Sequence, residues 1–302
     1  MTDAVLGIDV SKNTLDTSLL AGAKPRSRSF ANSPDGWRQL IAWLAKEKVR
    51  QVHACLEATG RYSLGIALAL HEAGHVVSLV NPAQIRDFAR TKLGRNKTDQ
   101  VDAAHIREYA ELFKPRPWTP PSPAVRRLCE LQTIRAATVA GLTEWKNRGA
   151  SGMADDRALA LAKATIKHFT LEAVDQAIAE TIDNDPELCA KRTLLVSISG
   201  VGETLAGIVL AELPGPDVLG SSAAVAAYAG LNPRQHQSGT SINRPARISK
   251  IGNAVLRTAL SMPALSAMRY NPAVAALVDR LKGRLTGKQI VVAAMRKLLV
   301  TC

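Results

Sequence analysis

The sequence predicts a protein in two parts, an α/β domain built on a mixed sheet followed by a mainly helical half. Three observations predict it. Short apolar runs alternate with helical patterns through the first 113 residues, a proline cluster follows, and beyond it the spacing is helical, with abundant Ala and only 4% aromatic residues in the whole chain.

AVLGIDV (residues 4–10) reads as a buried strand, and Thr14–Leu20 and Arg28–Asn32 read as two more, joined by short polar and Gly/Pro turns. Ser33-Pro34 reads as an N-cap with Pro at the first helical position, and Trp37, Leu40, Ile41 and Leu44 follow at helical spacing. Then come a strand at Gln51–Glu57, a helix near Leu64–Ala73 and a strand at His75–Val80. Pro82 opens another helix, and Asp99–Phe113 forms one more. Three initial strands followed by alternating helix and strand give a mixed sheet with helices on its faces, the ribonuclease H-like order.

Lys114–Pro123 (KPRPWTPPSP) holds five prolines, cannot be helical and marks a domain boundary. The predicted organisation is a nuclease-like domain at 1–114, a Pro-rich linker and helical arm at 115–190 with a break near Gly149–Gly152, and a second helical domain at 191–302 interrupted by an irregular segment, Asn232–Ser249.

The formal net charge is +13, and it is concentrated. Gly230–Cys302 carries twelve Lys/Arg against one acid, Asp279, which points to a polyanionic partner, nucleic acid first. The four cysteines (Cys55, Cys129, Cys189, Cys302) form no C-x-x-C pair, which excludes a disulfide framework and a zinc signature and predicts a reducing, cytoplasmic setting. No signal peptide is recognised, and no apolar run is long enough to span a bilayer, so no membrane partner is expected.

Asp9 and Glu57 both stand at the ends of apolar strands, where an acid is costly unless paired. Asp99 and Asp102, three apart in the first turn of a predicted helix, share a face. Converging, these four acids would repel, and a divalent cation with hard oxygen ligands such as Mg2+ would resolve the conflict. Taken singly, each has an ordinary reading as a turn residue, a surface acid or a helix N-terminal charge. Asp16, within the second strand, and Asp87, mid-helix, read as outside the set.

Residues 194–213 place two apolar helical stretches around Gly200-Val201-Gly202, like a helix-hairpin-helix whose glycine turn offers amides to a phosphate; a plain helical turn fits the same residues. Further on, Gln237-Ser238-Gly239-Thr240-Ser241 is a hydroxyl cluster among cations, and Ser249 reads as a cap for the next helix. On pattern alone such a loop grips phosphate; it can also present a nucleophile. Candidate nucleic-acid contacts are Lys97, Gly200, Gly202, Arg234, Ser238, Arg244, Arg247, Lys250 and Arg257. No histidine is arranged with an acid as in a triad.

GIDVSK (7–12), LEATG (56–60), VNP (80–82), KTDQVDA (97–103), GVG (200–202), YAGLNP (228–233) and QSGTS (237–241) together resemble the DEDD transposases of insertion sequences, the IS110 family, in order from residue 5 to about residue 299. The resemblance implies a RuvC-like domain whose metal-binding tetrad is Asp9, Glu57, Asp99 and Asp102, with Mg2+ or alternatively Mn2+. It implies Ser241 as nucleophile in a C-terminal transposase domain, and DNA as substrate. It also implies guidance by a structured bridge RNA, and a homo-oligomer, dimer or tetramer, in which one subunit's tetrad completes another's serine site. Relatives usually continue past the helix holding Val291–Leu299, so weaker assembly, weaker nucleic-acid binding or a decayed element is the expectation for a chain ending at Cys302. Three other readings stay open: a hydrolytic junction resolvase with water as nucleophile, an ATP-using actin-like fold, and a non-catalytic nucleic-acid-binding remnant.

Overall fold

A computed structural model describes residues 4–58, 60–92, 99–150, 155–167, 170–238 and 242–302. The chain divides into two compact units, Met1–Pro120 and Pro121–Cys302.

The first unit runs β1 (Val5–Val10), β2 (Thr14–Leu20), β3 (Pro25–Ala31), α1 (Pro34–Lys46), β4 (His53–Glu57), α2 (Arg61–Glu72), β5 (Val76–Val80), α3 (Pro82–Thr91) and α4 (Asp99–Phe113). The sheet order is β3-β2-β1-β4-β5. The first three strands pair antiparallel, and β4 and β5 add in parallel, as the ribonuclease H-like order requires. The third strand begins at Pro25, earlier than its apolar content indicates. It is an edge strand, exposed except at Phe30, so it lacks the alternation that marks a half-buried strand. Pro is tolerated at its first position.

Each strand sends alternate residues to opposite faces. Leu6, Ile8, Leu15, Leu19 and Phe30 form one core with Leu40, Trp43, Leu44, Ile66 and Leu70 of α1 and α2. Cys55 and Val80 form the other with Ile85 of α3 and Ile106 and Ala110 of α4. Ser33 caps α1, with Pro34 in its first turn. The proline-rich segment is fastened to β5. Trp118 N donates to Val77 O at 2.7 Å, and Ser78 Oγ donates to the Pro115 and Arg116 carbonyls at 3.0 and 2.9 Å.

The second unit contains α5 (Pro123–Ala150), α6 (Asp156–Lys167), α7 (Leu171–Asp183), α8 (Pro186–Val196), α9 (Glu203–Glu212), α10 (Pro216–Leu219), α11 (Ser222–Tyr228), β6 (Pro233–Ser238), β7 (Ile242–Ile248), α12 (Ala254–Ala259), α13 (Ser261–Tyr270), α14 (Pro272–Leu281) and α15 (Gly287–Thr301). Leu128 of α5 and Ile178 and Ile182 of α7 share one buried cluster with Leu205, Ala264, Val274 and Leu298.

The segment Asn232–Ser249, expected to be irregular, contains an antiparallel hairpin, β6 with β7. β6 (PRQHQS) has no aliphatic residue, and β7 (INRPARI) spaces Ile242, Ala246 and Ile248 around Arg244 and Pro245, so the apolar alternation is too weak to mark either strand. Both prolines sit where strands accept them. Pro233 opens β6, and Pro245 falls at the irregularity where Arg234 pairs Arg247 but His236 pairs Arg244. Among the described residues no helix is long and apolar enough to cross a membrane.

Candidate active site

Strand register places the first acids. Asp9 of β1 lies directly opposite Asp16 of β2, and Asp16 directly opposite Ser29 of β3. On the other side, Ile8 pairs Leu56 in parallel, and one further step sets Asp9 beside Glu57. Ser29, Asp16, Asp9 and Glu57 thus form a row across four adjacent strands, each residue half-buried or exposed at the surface of the sheet. Laterally paired residues share a face.

The face is the one that α4 covers. A Cβ on Gly7 would stand 2.3 Å from Ala103 O and 2.3 Å from Arg107 N, so α4 rests on the β1 backbone at the residue two before Asp9. Two residues apart in a strand means the same face, so Asp9 points to the α4 side. The helix direction follows from its packing. Ala103 and Arg107 lie over Gly7, whereas Tyr109 and Ala110 pack with Val5 at the start of β1. The helix therefore runs antiparallel to β1 and presents its first turn toward the Asp9 end. That turn carries Asp102, half-buried, and begins at Asp99. The Asp99 side chain and the whole of Lys97 lie outside the described residues.

Arg107 anchors this arrangement. Its guanidinium is buried, donates from Nε to Ser18 Oγ at 3.1 Å, and pairs with Glu111 and, at 3.4 Å, Glu108. Neither Arg107 nor Gly7 stood out in the sequence. Asp16 reads in the sequence as outside the set, yet it shares the face of Asp9. The available signal was hairpin arithmetic: a turn of Ser11-Lys12-Asn13 between β1 and β2 makes Asp9 and Asp16 partners.

The electrostatics of the row are visible at Cys55, two residues before Glu57. Burial, with the Glu57 charge added, pushes its thiol up to about 12, so it stays neutral. Asp9, Glu57 and Asp102 each offer carboxylate oxygen, the hard ligand type that Mg2+ and Mn2+ take. Among the described residues no three His, Cys, Asp or Glu side chains stand close enough together to hold a metal ion. The fourth acid, Asp99, is outside that set.

In the second unit, Gly200 has φ +102° and its Cβ position lies 2.7 Å from Ala267 Cβ, so this glycine is required by the turn and by contact with α13. Asn271 Nδ2 secures the same turn by donating to Ser199 O at 3.0 Å. Gly202, exposed, is the N-cap of α9, and a Cβ there would meet nothing within 4 Å. Ser241 lies outside the described residues. For Ser238 and Arg244 the structure gives the backbone alone, on β6 and β7.

The base of the hairpin is closely held. Ser249 N donates to Asn232 O at 2.9 Å, and Ser249 Oγ donates to Asn232 Oδ1 at 2.7 Å. Ser249 thus closes the hairpin rather than capping α12, whose cap is Asn253. Asn253 Nδ2 also donates to Glu212 at 2.6 Å. Arg257 Nη1 donates to Ala229 O at 2.8 Å, a bond within the fold, whereas Arg234, Arg247 and Lys250 are exposed.

Sheet order and acid-bearing face define a ribonuclease H-like domain of the nuclease type, joined to a helical unit with a basic hairpin. The sequence pattern of the DEDD transposases matches residues 6–153. That of the transposase IS116/IS110/IS902 family matches residues 192–279. The chain is 33% identical to the pilin gene-inverting proteins of Moraxella bovis and of Moraxella lacunata, each over 313 aligned positions that cover 99% of this chain and 94% of the relative. Among solved structures it is similar to T. thermophilus RuvC in complex with a Holliday junction substrate (TM-score 0.29, 19% identity, 38% of this chain and 99% of that one). The chain belongs to the IS116/IS110/IS902 family of transposases.

Proposed function

We propose that the protein cuts and rejoins DNA at the ends of an insertion sequence, with Asp9, Glu57, Asp99 and Asp102 holding divalent cations and Ser241 as nucleophile. The observation that carries the reading is the meeting of two strands and a helix. Asp9 and Glu57 are lateral neighbours on one face, and α4 crosses that face with its acidic first turn toward them.

A bound Mg2+ or Mn2+ would neutralise charge on the scissile phosphate and polarise it toward attack. The carboxylates of this chain hold the reacting phosphate in place through that charge. Ser241 Oγ attacks phosphorus, the Oγ–P bond forms and the P–O3′ bond breaks. The hydroxyl loses its proton, and the departing 3′ oxygen takes one up. The phosphoserine link conserves the phosphodiester energy, so rejoining needs no ATP. Arg234, Arg247 and Lys250, exposed on and beside the hairpin, supply phosphate contacts that fix position without reading sequence. The working form is a homo-oligomer with a structured RNA as guide.

The test is a trap for a covalent protein–DNA adduct. Protein, Mg2+, RNA transcribed from the element's non-coding flank and labelled DNA spanning the element's end are mixed and denatured. An adduct that disappears with Ser241→Ala and with Asp9→Ala is the expected result. Cleavage without an adduct replaces the serine with water, and binding without cleavage removes the chemistry altogether.

A further inference from the structure

The turn joining α14 to α15 concentrates positive charge that the fold does not neutralise. Val278 of α14 and Ile290 of α15 share the buried cluster of the second unit, which closes the two helices on either side of Lys282–Thr286. The turn has a set shape. Arg284 N and Leu285 N both donate to Leu281 O, at 3.0 and 3.1 Å, Gly283 takes a φ of +78°, and Thr286 N donates to Gln289 Oε1 at 2.9 Å. Arg280, Arg284 and Lys288 stand exposed on and beside it. Asp279 is paired with Lys282 at 2.7 Å, and residues 280–302 contain no acid. Among the described residues the other three cations meet no carboxylate. A Cβ on Gly287 would meet nothing within 4 Å, so the turn is open to a ligand. Like charges held on a fixed turn repel one another, and a polyanion relieves that repulsion.

The α8–α9 turn also joins two helices through a glycine of positive φ, Gly200 at +102°. Its charge balance is different. The first turn of α9 carries Glu203, exposed, and the cations of α8 are already paired, Lys191 with Glu187 and Arg192 with Asp183. A phosphate arriving there would meet a carboxylate.

We propose that the α14–α15 turn, rather than the α8–α9 turn, is the helical hairpin that grips the phosphates of duplex DNA, with Arg284 and Lys288 as its side-chain contacts. This rests on DNA as the substrate. Contacts of this kind fix the position of the protein on the duplex and carry no sequence information.

The experiment is fluorescence anisotropy of a labelled duplex of arbitrary sequence with the full chain, in EDTA and without RNA, over a salt series. Arg284→Gln and Lys288→Gln should each lower the slope of log affinity against log salt by about 0.9, with melting temperatures at wild type. Arg284→Lys, which keeps the charge, should keep the slope. Lys191→Gln removes the same charge beside the α8–α9 turn and should leave the slope at wild type. Unchanged slopes in Arg284→Gln and Lys288→Gln, with duplex binding by the wild type, overturn the inference and leave the DNA reading standing. Equal losses in all three Gln variants overturn it too, since the effect is then one of net charge. No duplex binding by the wild type overturns the DNA reading and this inference together. A slope lowered on an RNA hairpin and not on the DNA duplex assigns the turn to RNA and overturns the proposal. Should Arg284→Gln melt early, Arg280→Gln takes its place. A lowered slope there supports the inference, and an unchanged one overturns it.

Discussion

Gly7 and Ala103 touch backbone to backbone: a Cβ on Gly7 would lie 2.3 Å from the Ala103 carbonyl oxygen. This contact sets the height of α4 above β1 and hence the distance from its acidic first turn to Asp9. Gly7→Ala forces the helix off the sheet, since the obstruction is backbone and cannot rotate away. The expected cost is about 1–3 kcal/mol by overpacking, seen as a lower melting temperature. DNA cleavage should fall further than stability explains, because Asp102 moves with the helix. Full cleavage by a folded Gly7→Ala protein would show that helix height is irrelevant.

Arg107→Met should destabilise the first unit by about 2 kcal/mol, because charge-assisted hydrogen bonds are lost and Ser18 keeps a buried hydroxyl without its donor. Chemical denaturation measures this. The companion substitution Ser18→Ala should cost less, since Arg107 retains Glu111 and Glu108. Equal losses in both variants would mean that the carboxylate contacts of Arg107 contribute nothing.

Acid should weaken the first unit. Burial lowers the pKa of both His53 and His75 below the ordinary 6.5. A group with a lowered folded pKa gives stability that is present above its unfolded value and lost as pH falls through the folded one. The loss therefore begins below about pH 6.5. His53 Nε2 is 2.8 Å from Ser78 Oγ, the hydroxyl that fastens the proline-rich segment, while His75 Nδ1 is buried with no hydrogen-bond partner. Melting curves at about pH 7.5 and pH 5 measure the effect. His75→Gln should flatten the dependence, and a slope unchanged in that variant would assign the acid sensitivity elsewhere.

Gly252 closes the base of the basic hairpin. Its φ is +141°, and a Cβ would lie 2.3 Å from Tyr228 O and 2.7 Å from Gly230 N. Gly252→Ala should separate the 228–232 turn from the Ser249–Asn253 segment and shift the hairpin that leads to Ser241. The expected outcome is loss of the covalent adduct with DNA binding by the rest of the unit retained. Wild-type adduct yield from Gly252→Ala would show that the hairpin tolerates movement at its base.

Much of the first unit was legible because β1, β4 and β5 are apolar and its helices carry plain signals, Ser33-Pro34 and Asn81-Pro82 among them. Asp9 and Glu57 stood out because acids ending apolar strands are rare on energetic grounds. Asp16 did not, because its significance is lateral: it depends on register, which one strand's own sequence does not carry. Gly7 was hidden likewise, since a glycine in a strand announces a close approach but not by what. The β6–β7 hairpin escaped because β6 has no aliphatic residue and the Ile242–Ala246–Ile248 spacing of β7 is broken by Arg244 and Pro245, which leaves no clear period to read.

The basic hairpin makes a quantitative demand on DNA binding. Arg234, Arg247 and Lys250 are exposed, whereas Arg257 is engaged with Ala229 O, so the two groups should behave differently. Neutralising a phosphate contact lowers the slope of log affinity against log salt by about 0.9 per contact. Substituting Arg234, Arg247 and Lys250 by Ala singly should lower that slope by about one each and weaken binding evenly across DNA sequences. Arg257→Ala should leave the slope unchanged and lower the melting temperature instead. Fluorescence anisotropy with a labelled duplex over a salt series reads the slope. If the three exposed residues leave it unaltered, the phosphate contacts belong to another face of the protein.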